Sequence, residues 1–286
     1  MMVLACLDGS RYTASICDFA VRTARRLGVG VELLHVIDRL PESRTPADYS
    51  GHMTSDMAES LLEEYTELDA QHARQMQQQA RAMLDEAAER VRASGVASVQ
   101  ERLVYGTLVD QLSEHERNAR LVVIGKRGES ELHATSHLGS NLQRVVRASR
   151  RPTMIVPPVY RPLRRFVVAY DGGASSVKAI EMLTRETLLL EAECHLLMVS
   201  PGDAEHVARL EAAANRLRAA GYRVTERLEK AEPGHPDELI IATVERTDAD
   251  LLVMGAYGHS RIRNLIIGST TNALLRACTA PVLVVR

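Results

Sequence analysis

The chain contains no tryptophan and only two phenylalanines in 286 residues, and its formal charge is −2. Nucleic-acid binding draws on cationic fields that neutralise phosphates and on aromatic faces that stack bases. Both are scarce here, so a polynucleotide is not an expected partner. No stretch approaches the ~18 consecutive apolar residues of a membrane helix. The first residues lack the basic-then-apolar pattern of a secretory leader. No membrane partner and a cytoplasmic address are the expectations. The four cysteines, Cys6, Cys17, Cys194 and Cys278, stand apart with no C-x-x-C pair, which removes that metal or redox unit. Each lies in apolar sequence, where a buried, reduced thiol is expected. Also missing are G-x-x-x-x-G-K-[ST], a G-x-G-x-x-G that opens a helix, and H-E-x-x-H, so no Walker-type site is supported. His133 and His137 stand at i, i+4 without an evident third ligand, and no metal site is expected there. Ser10 and Ser175 follow glycine-rich turns with no histidine nearby to complete a nucleophilic triad.

What is present is a long internal repeat. VLACLDGSRYTAS (3–15) parallels VVAYDGGASS (167–176), and VELLHVID (31–38) parallels ECHLLMVS (193–200). ARLVVIGKRG (119–128) parallels ADLLVMGAYG (249–258), and RRPTMIVP (150–157) parallels TAPVLVVR (279–286). Four matched blocks in one order imply a duplicated domain, because solenoid units repeat every ~20 to 50 residues. Between the copies lies PPVYRPLRR (157–165), whose three prolines and basic cluster suit an extended joint. We set the boundary near Tyr160, giving domains 1–160 and 161–286.

Apolar runs alternate with longer helical patterns in both copies. Strands are expected near 2–8, 30–37, 98–104, 120–125 and 153–157, with helices near 11–27, 57–94, 107–117 and 139–148. The second copy repeats this with strands near 165–171, 193–199, 222–228, 250–255 and 281–285 and helices near 174–186, 203–220, 236–246 and 268–278. Such alternation implies right-handed βαβ crossovers and a parallel sheet covered on both faces. Ligands of these sheets sit beyond the carboxyl ends of the strands. Asp171, Val199 and Gly255 fall at three such ends. The copies differ in the connection after the second strand, which is a proline-bearing loop and a long helix in the first but only PGDAEH (201–206) in the second.

The most informative stretch is LLVMGAYGHSRIRNLIIGST (251–270). An apolar strand runs into Gly255 and Gly258, which let a loop bring backbone N–H groups close to a ligand. Gly268, Ser269 and Thr270 then open a helix, whose unpaired N–H groups and dipole favour an anion such as phosphate. Each piece has a plainer explanation. Asp171 could cap a turn, Ser269 and Thr270 a helix, and Arg261 and Arg263 could form a solvated face.

Gly-x-x-Gly, nine residues, then Gly-Ser resembles the nucleotide-binding signature of the universal stress proteins, matched by Gly255, Gly258, Gly268 and Ser269 without a gap. Asp171 after the first strand and the closing PVLVV (281–285) are similar to that family as well. The resemblance implies two tandem Rossmann-like, adenine nucleotide α hydrolase-like domains. Each would be a five-stranded parallel sheet with helices on both faces. It implies ATP as ligand, with Ala169 and Asp171 along the ribose and Asp171 near a phosphate-bound Mg²⁺. Val199 would meet the adenine edge, and Gly255, Gly258, Gly268, Ser269 and Thr270 would hold the phosphates, with His259 and Arg261 as nearby donors.

In the first copy the corresponding positions are Asp8, Val36, Gly125, Gly128, Gly139 and Ser140. Ten residues separate Gly128 from Gly139, one more than in the family pattern, and Glu129 and Glu131 would repel a phosphate while Lys126 and Arg127 would attract one. A structural copy that binds ATP weakly or not at all is expected. The resemblance further implies pairing of the two final strands within one chain, PTMIV beside PVLVV, with a homodimer also possible.

The functional expectation is a nucleotide-dependent stress-response module that binds an unidentified protein partner and hydrolyses ATP slowly or not at all. Its rivals are an enzyme acting at the α-phosphate and a nucleotide-free scaffold.

Overall fold

The computed structural model describes residues 1–37, 55–127, 140–230, 236–257 and 268–286. In the first half, β1 (Met2–Leu7), β2 (Gly30–Ile37), β3 (Val99–Tyr105), β4 (Ala119–Gly125) and β5 (Thr153–Val156) alternate with α1 (Thr13–Leu27), α2 (Ser55–Ala93), α3 (Leu108–His115) and α4 (Ser140–Ala148). In the second half, β6 (Arg165–Ala169), β7 (Glu193–Val199), β8 (Arg223–Glu229), β9 (Leu251–Gly255) and β10 (Val282–Val285) alternate with α5 (Ala174–Arg185), α6 (Ala204–Ala219), α7 (Pro236–Arg246) and α8 (Ser269–Ala277). Within each half the strands are parallel, in the order β3-β2-β1-β4-β5 and its counterpart β8-β7-β6-β9-β10. This is the doubly wound arrangement expected of the apolar strand runs. The central β1 is buried at all six residues because helices cover both its faces.

The halves join through their last strands. β5 and β10 pair antiparallel, with Ile155 opposite Val282, Met154 opposite Leu283 and Thr153 opposite Val284, so one ten-stranded sheet runs through the molecule. Short apolar edges that would otherwise invite association cover each other. Strand alternation divides the side chains between two cores. Phe166 and Val168 belong to one core, while Val167 packs in the other with Ala169 against it. Both cores draw residues from both halves.

Further bridges reinforce the joint. The rings of Phe19 and Tyr160 meet edge to face at 4.8 Å. Lys126 Nζ donates to the carbonyls of Arg276 (2.8 Å) and Cys278 (2.7 Å) at the end of α8. Gln143 Nε2 donates to Asn272 Oδ1 at 3.0 Å between α4 and α8. All four cysteines are free and buried. Burial pushes the thiols of Cys6, Cys17 and Cys194 up to about 12.

The strands read from the sequence as ending at Asp8 and Asp171 stop earlier, at Leu7 and Ala169. The cause is local. Gly9 and Gly172 both take φ of 75°, a left-handed conformation suited to glycine. Asp8 Oδ1 accepts from Ser10 N at 3.1 Å, and Asp171 Oδ1 accepts from Gly173 N at 2.8 Å, which closes an Asx turn in each half.

Candidate functional site

Beyond the carboxyl ends of β6, β7 and β9 lies a cleft of about 340 Å³. It is built from the strand ends Ala169, Val199 and Gly255, the turn residue Asp171, and the helix start at Gly268, Ser269 and Thr270. Seven sequence-predicted residues therefore converge from four segments of the chain. Gly258, His259 and Arg261 lie outside the described residues, as do Gly128 and Gly139 of the first half and the pair His133 and His137.

The floor of the cleft is tied together by hydrogen bonds. Asp171 Oδ1 also accepts from Ser176 Oγ at 2.6 Å, and that hydroxyl lies 3.0 Å from the Gly173 carbonyl. Ser175 reaches across to the segment after β9, where its Oγ donates to the Tyr257 carbonyl and accepts from Tyr257 N at 3.2 Å. Thr271 Oγ1 donates to the neighbouring Ala256 carbonyl at 3.1 Å. Two hydroxyls from two helices thus clamp the backbone at 256–257. Gly255 permits this closeness, since a Cβ there would fall 2.7 Å from Ser176 N and 2.9 Å from the Ser175 carbonyl carbon.

The roof is a helix start without a side-chain cap. Gly268 is the N-cap of α8, has no side chain to offer its first N–H groups, and no acidic residue stands in the first turn. The positive end of the helix dipole therefore faces the cleft with donors unclaimed by a cap. The plainer reading of Ser269 and Thr270 as caps does not hold, because they occupy the first two helical positions. Apolar walls come from Leu197, Met254 and Leu274, and from Pro236 and Ile240 of α7. An elongated ligand with an apolar flat part and an anionic part matches these walls and that roof. Among the described residues no group of three or more His, Cys, Asp or Glu could hold a metal ion. Asp171 on its own would therefore need ligand oxygens to share a cation.

Sequence reading missed Ser175, Ser176, Thr271 and Tyr257 as parts of the site. The signal for the first two was the ASS after Asp171-Gly-Gly, where the hydroxyl five residues on returns to the turn while the one four residues on reaches Tyr257. The walls from α7 carry no local motif.

In the first half Cys6 pairs with Leu34 and Ile124 as Ala169 pairs with Leu197 and Met254, so the strands superpose by register. Asp8, Val36, Gly125 and Ser140 occupy the corresponding strand ends, turn and helix start. The clamps do not correspond. Tyr12 stands four residues after Asp8, where Ser175 follows Asp171, and its Cβ lies 3.0 Å from where a Cβ of Gly125 would be. Leu142 is the third residue of α4, as Thr271 is of α8.

Comparison with known proteins agrees with this architecture. The model of the universal stress protein family matches twice, at residues 1–157 and 162–286. Universal stress protein Slr1230 of Synechocystis sp. is 33% identical over 99% of this chain and 99% of its own. Universal stress protein Rv1996 of Mycobacterium tuberculosis is 25% identical over 98% of this chain and 93% of its own. The crystal structure of a universal stress protein from Archaeoglobus fulgidus covers 100% of this chain and 98% of its own with a TM-score of 0.75 at 22% identity, a likeness of fold. With both halves matched and a relative aligned end to end, the chain belongs to the universal stress protein family as a tandem, two-domain member.

Proposed function

We propose that the second domain binds ATP in the cleft beyond β6, β7 and β9. On this reading the protein is a nucleotide-dependent stress-response module, with a protein partner still to be identified and with little or no hydrolysis. The observation that carries the proposal is the uncapped start of α8 at Gly268, Ser269 and Thr270, set above the clamped Gly255 strand end and beside Asp171. Phosphates would take the N–H groups of the helix start and the two hydroxyls. Adenine would lie against Val199, Leu197 and Ile240, and the ribose near Ala169 and Asp171. Gly258, His259 and Arg261 would complete the phosphate grip. Mg²⁺ would be shared between Asp171 and phosphate oxygens. We place the domain boundary in the connection between β5 and β6, at 160–161.

Binding without rapid turnover is supported by the described part of the cleft. Phosphoryl transfer needs a group that orients the acceptor and further positive charge at the leaving phosphate. Among the described residues the lining offers one carboxylate, hydroxyls and apolar side chains, and no histidine or lysine. The first domain, with Tyr12 and Leu142 in place of the two hydroxyl clamps, is proposed as a structural partner that binds ATP weakly or not at all. Denaturing natively purified protein and counting released adenine nucleotide by mass spectrometry tests both statements. One nucleotide per chain is expected. Two would overturn the view of the first domain, and none, with no uptake of added ATP, would overturn the binding proposal. A phosphate-release assay that ran through many turnovers per minute would overturn the binding role in favour of an enzyme.

A further inference from the structure

A second charged recess lies at the opposite end of the sheet, where α1 runs down to β2 and α2 to β3. It is an open groove of about 840 Å³, walled by the last two turns of α1, the 93–95 end of α2 and Tyr160 of the connection between halves. Helix α1 contributes Arg22, Arg25 and Arg26 at i, i+3 and i+4, which places three guanidinium groups on one helix face. Like charges at this spacing repel, so partners are expected for each.

Only some are provided. Asp18, the acidic residue of the groove wall, is engaged by Arg90, whose Nε and Nη2 donate to its two oxygens at 3.0 and 2.8 Å. Arg26 is engaged by Glu191, with Nη1 donating to Oε1 at 2.7 Å and Nη2 donating to Oε2. These two pairs cancel. Arg25 is exposed, and no ion pair or side-chain hydrogen bond is described for it. Arg22 feels the charge of Glu191, yet its Nη1 is shut off from solvent without a hydrogen-bond partner. An unsatisfied buried donor costs stability, and a turn of the Arg22 side chain toward the groove would bring that donor to a ligand. Two net positive charges therefore line the groove, one of them on a group short of an acceptor. Burial also lowers the pKa of Arg22, in keeping with that shortage.

We propose that this groove binds the di- or polyphosphate part of a small molecule, held between Arg22 and Arg25, with any carbon body resting on Val21 and the Tyr160 ring. The guanidinium fork takes two oxygens of one phosphate, and neighbouring helix turns set the two arginine Cβ atoms ~5 to 6 Å apart, from which the long side chains can converge on adjacent phosphates. Both α1 and α2 end at this groove, so the partial negative charge of their carbonyl ends opposes an anion, and the arginine side chains of α1 supply the attraction that outweighs it. This site is separate from the proposed ATP cleft, which lies at the other ends of the strands.

Hydrogen exchange on the full chain, with and without inorganic pyrophosphate, reads the two places independently. Pyrophosphate is expected to protect residues 18–28 and 93–97 saturably. Its affinity should fall about tenfold or more in Arg22→Gln/Arg25→Gln, as expected for the loss of charged hydrogen bonds. Arg25→Gln, at an exposed position that folding does not depend on, should weaken it severalfold by itself. Protection confined to 268–272, no protection at all, or the same affinity in Arg25→Gln would overturn the proposal. Equal protection by citrate would overturn the assignment to phosphate.

Discussion

Two glycines of one motif are expected to fail for different reasons when replaced by alanine. At Gly255 the added methyl would fall on Ser175 Oγ, 2.7 Å from Ser176 N and 2.9 Å from the Ser175 carbonyl carbon. Two of these atoms are backbone of the first turn of α5, so no rotamer change relieves the clash. Overpacking of this kind costs about 1–3 kcal/mol. Moving Ser175 also weakens its two hydrogen bonds with Tyr257, each contributing about 0.5–1.5 kcal/mol. Gly255→Ala should therefore destabilise the protein by roughly 2–4 kcal/mol. Gly268 has φ of −54° and ψ of 145°, ordinary for any residue, and its nearest neighbour to a new Cβ is Thr271 Oγ1 at 3.6 Å. Gly268→Ala should cost under about 1 kcal/mol, the difference between glycine and alanine as N-cap. It nevertheless adds bulk at the proposed phosphate position, so ATP affinity should fall about tenfold, equivalent to ~1.4 kcal/mol. Urea unfolding by circular dichroism measures the first effect and calorimetric titration with ATP the second. A Gly255→Ala protein within about 0.5 kcal/mol of wild type would refute the packing argument. Wild-type ATP affinity in Gly268→Ala would refute the placement of phosphate at the helix start.

Three further outcomes are expected. Asp171→Asn keeps an oxygen for Gly173 N and Ser176 Oγ, so stability should change by less than about 1 kcal/mol while the gain in ATP affinity from Mg²⁺ disappears in titrations with and without EDTA. Lys126→Met keeps the aliphatic stem but removes both charged bonds to the end of α8. The urea midpoint should drop by the equivalent of ~1.5 kcal/mol, the low end for charged hydrogen bonds, because burial already disfavours the ammonium and lowers its pKa. The thiols of Cys6, Cys17 and Cys194 ionise near 12 when folded and near 9 when exposed by unfolding. Their folded pKa is raised, so this contribution is intact below pH 9 and is lost between pH 9 and 12. Each thiol should subtract about 1.4 kcal/mol per pH unit across that window. Native protein should resist iodoacetamide at pH 8, and rapid native alkylation of all four cysteines would contradict their burial.

Features set by neighbours in sequence were the legible ones. Strand and helix identity came from apolar runs, and the observed elements depart from the expected ones mainly at their ends. Asp171 is the instructive departure. Its aspartate-glycine-glycine turn is a local signal, but reading it as strand ignored the left-handed Gly172 that ends the pairing. The Gly-x-x-Gly and Gly-Ser pieces stand out in the sequence because the proposed phosphate site at the helix start uses consecutive residues. Their clamps do not. Ser175 and Tyr257 are 82 positions apart, and Thr271 meets Ala256 only because α8 folds back over the end of β9.

The sequence by itself determined the duplication, the two doubly wound halves and the glycine-led start of α8, since these depend on residue type and short spacing. The pairing of the final strands, expected from the family resemblance, takes its antiparallel register from the tertiary structure. Tertiary structure alone decided that α7 walls the cleft and that the first half replaces both hydroxyl clamps with Tyr12 and Leu142. It also decided that three arginines of α1 share a groove with too few acids. Each of these is a matter of which distant groups come to share a few ångströms, and only chain folding sets that distance.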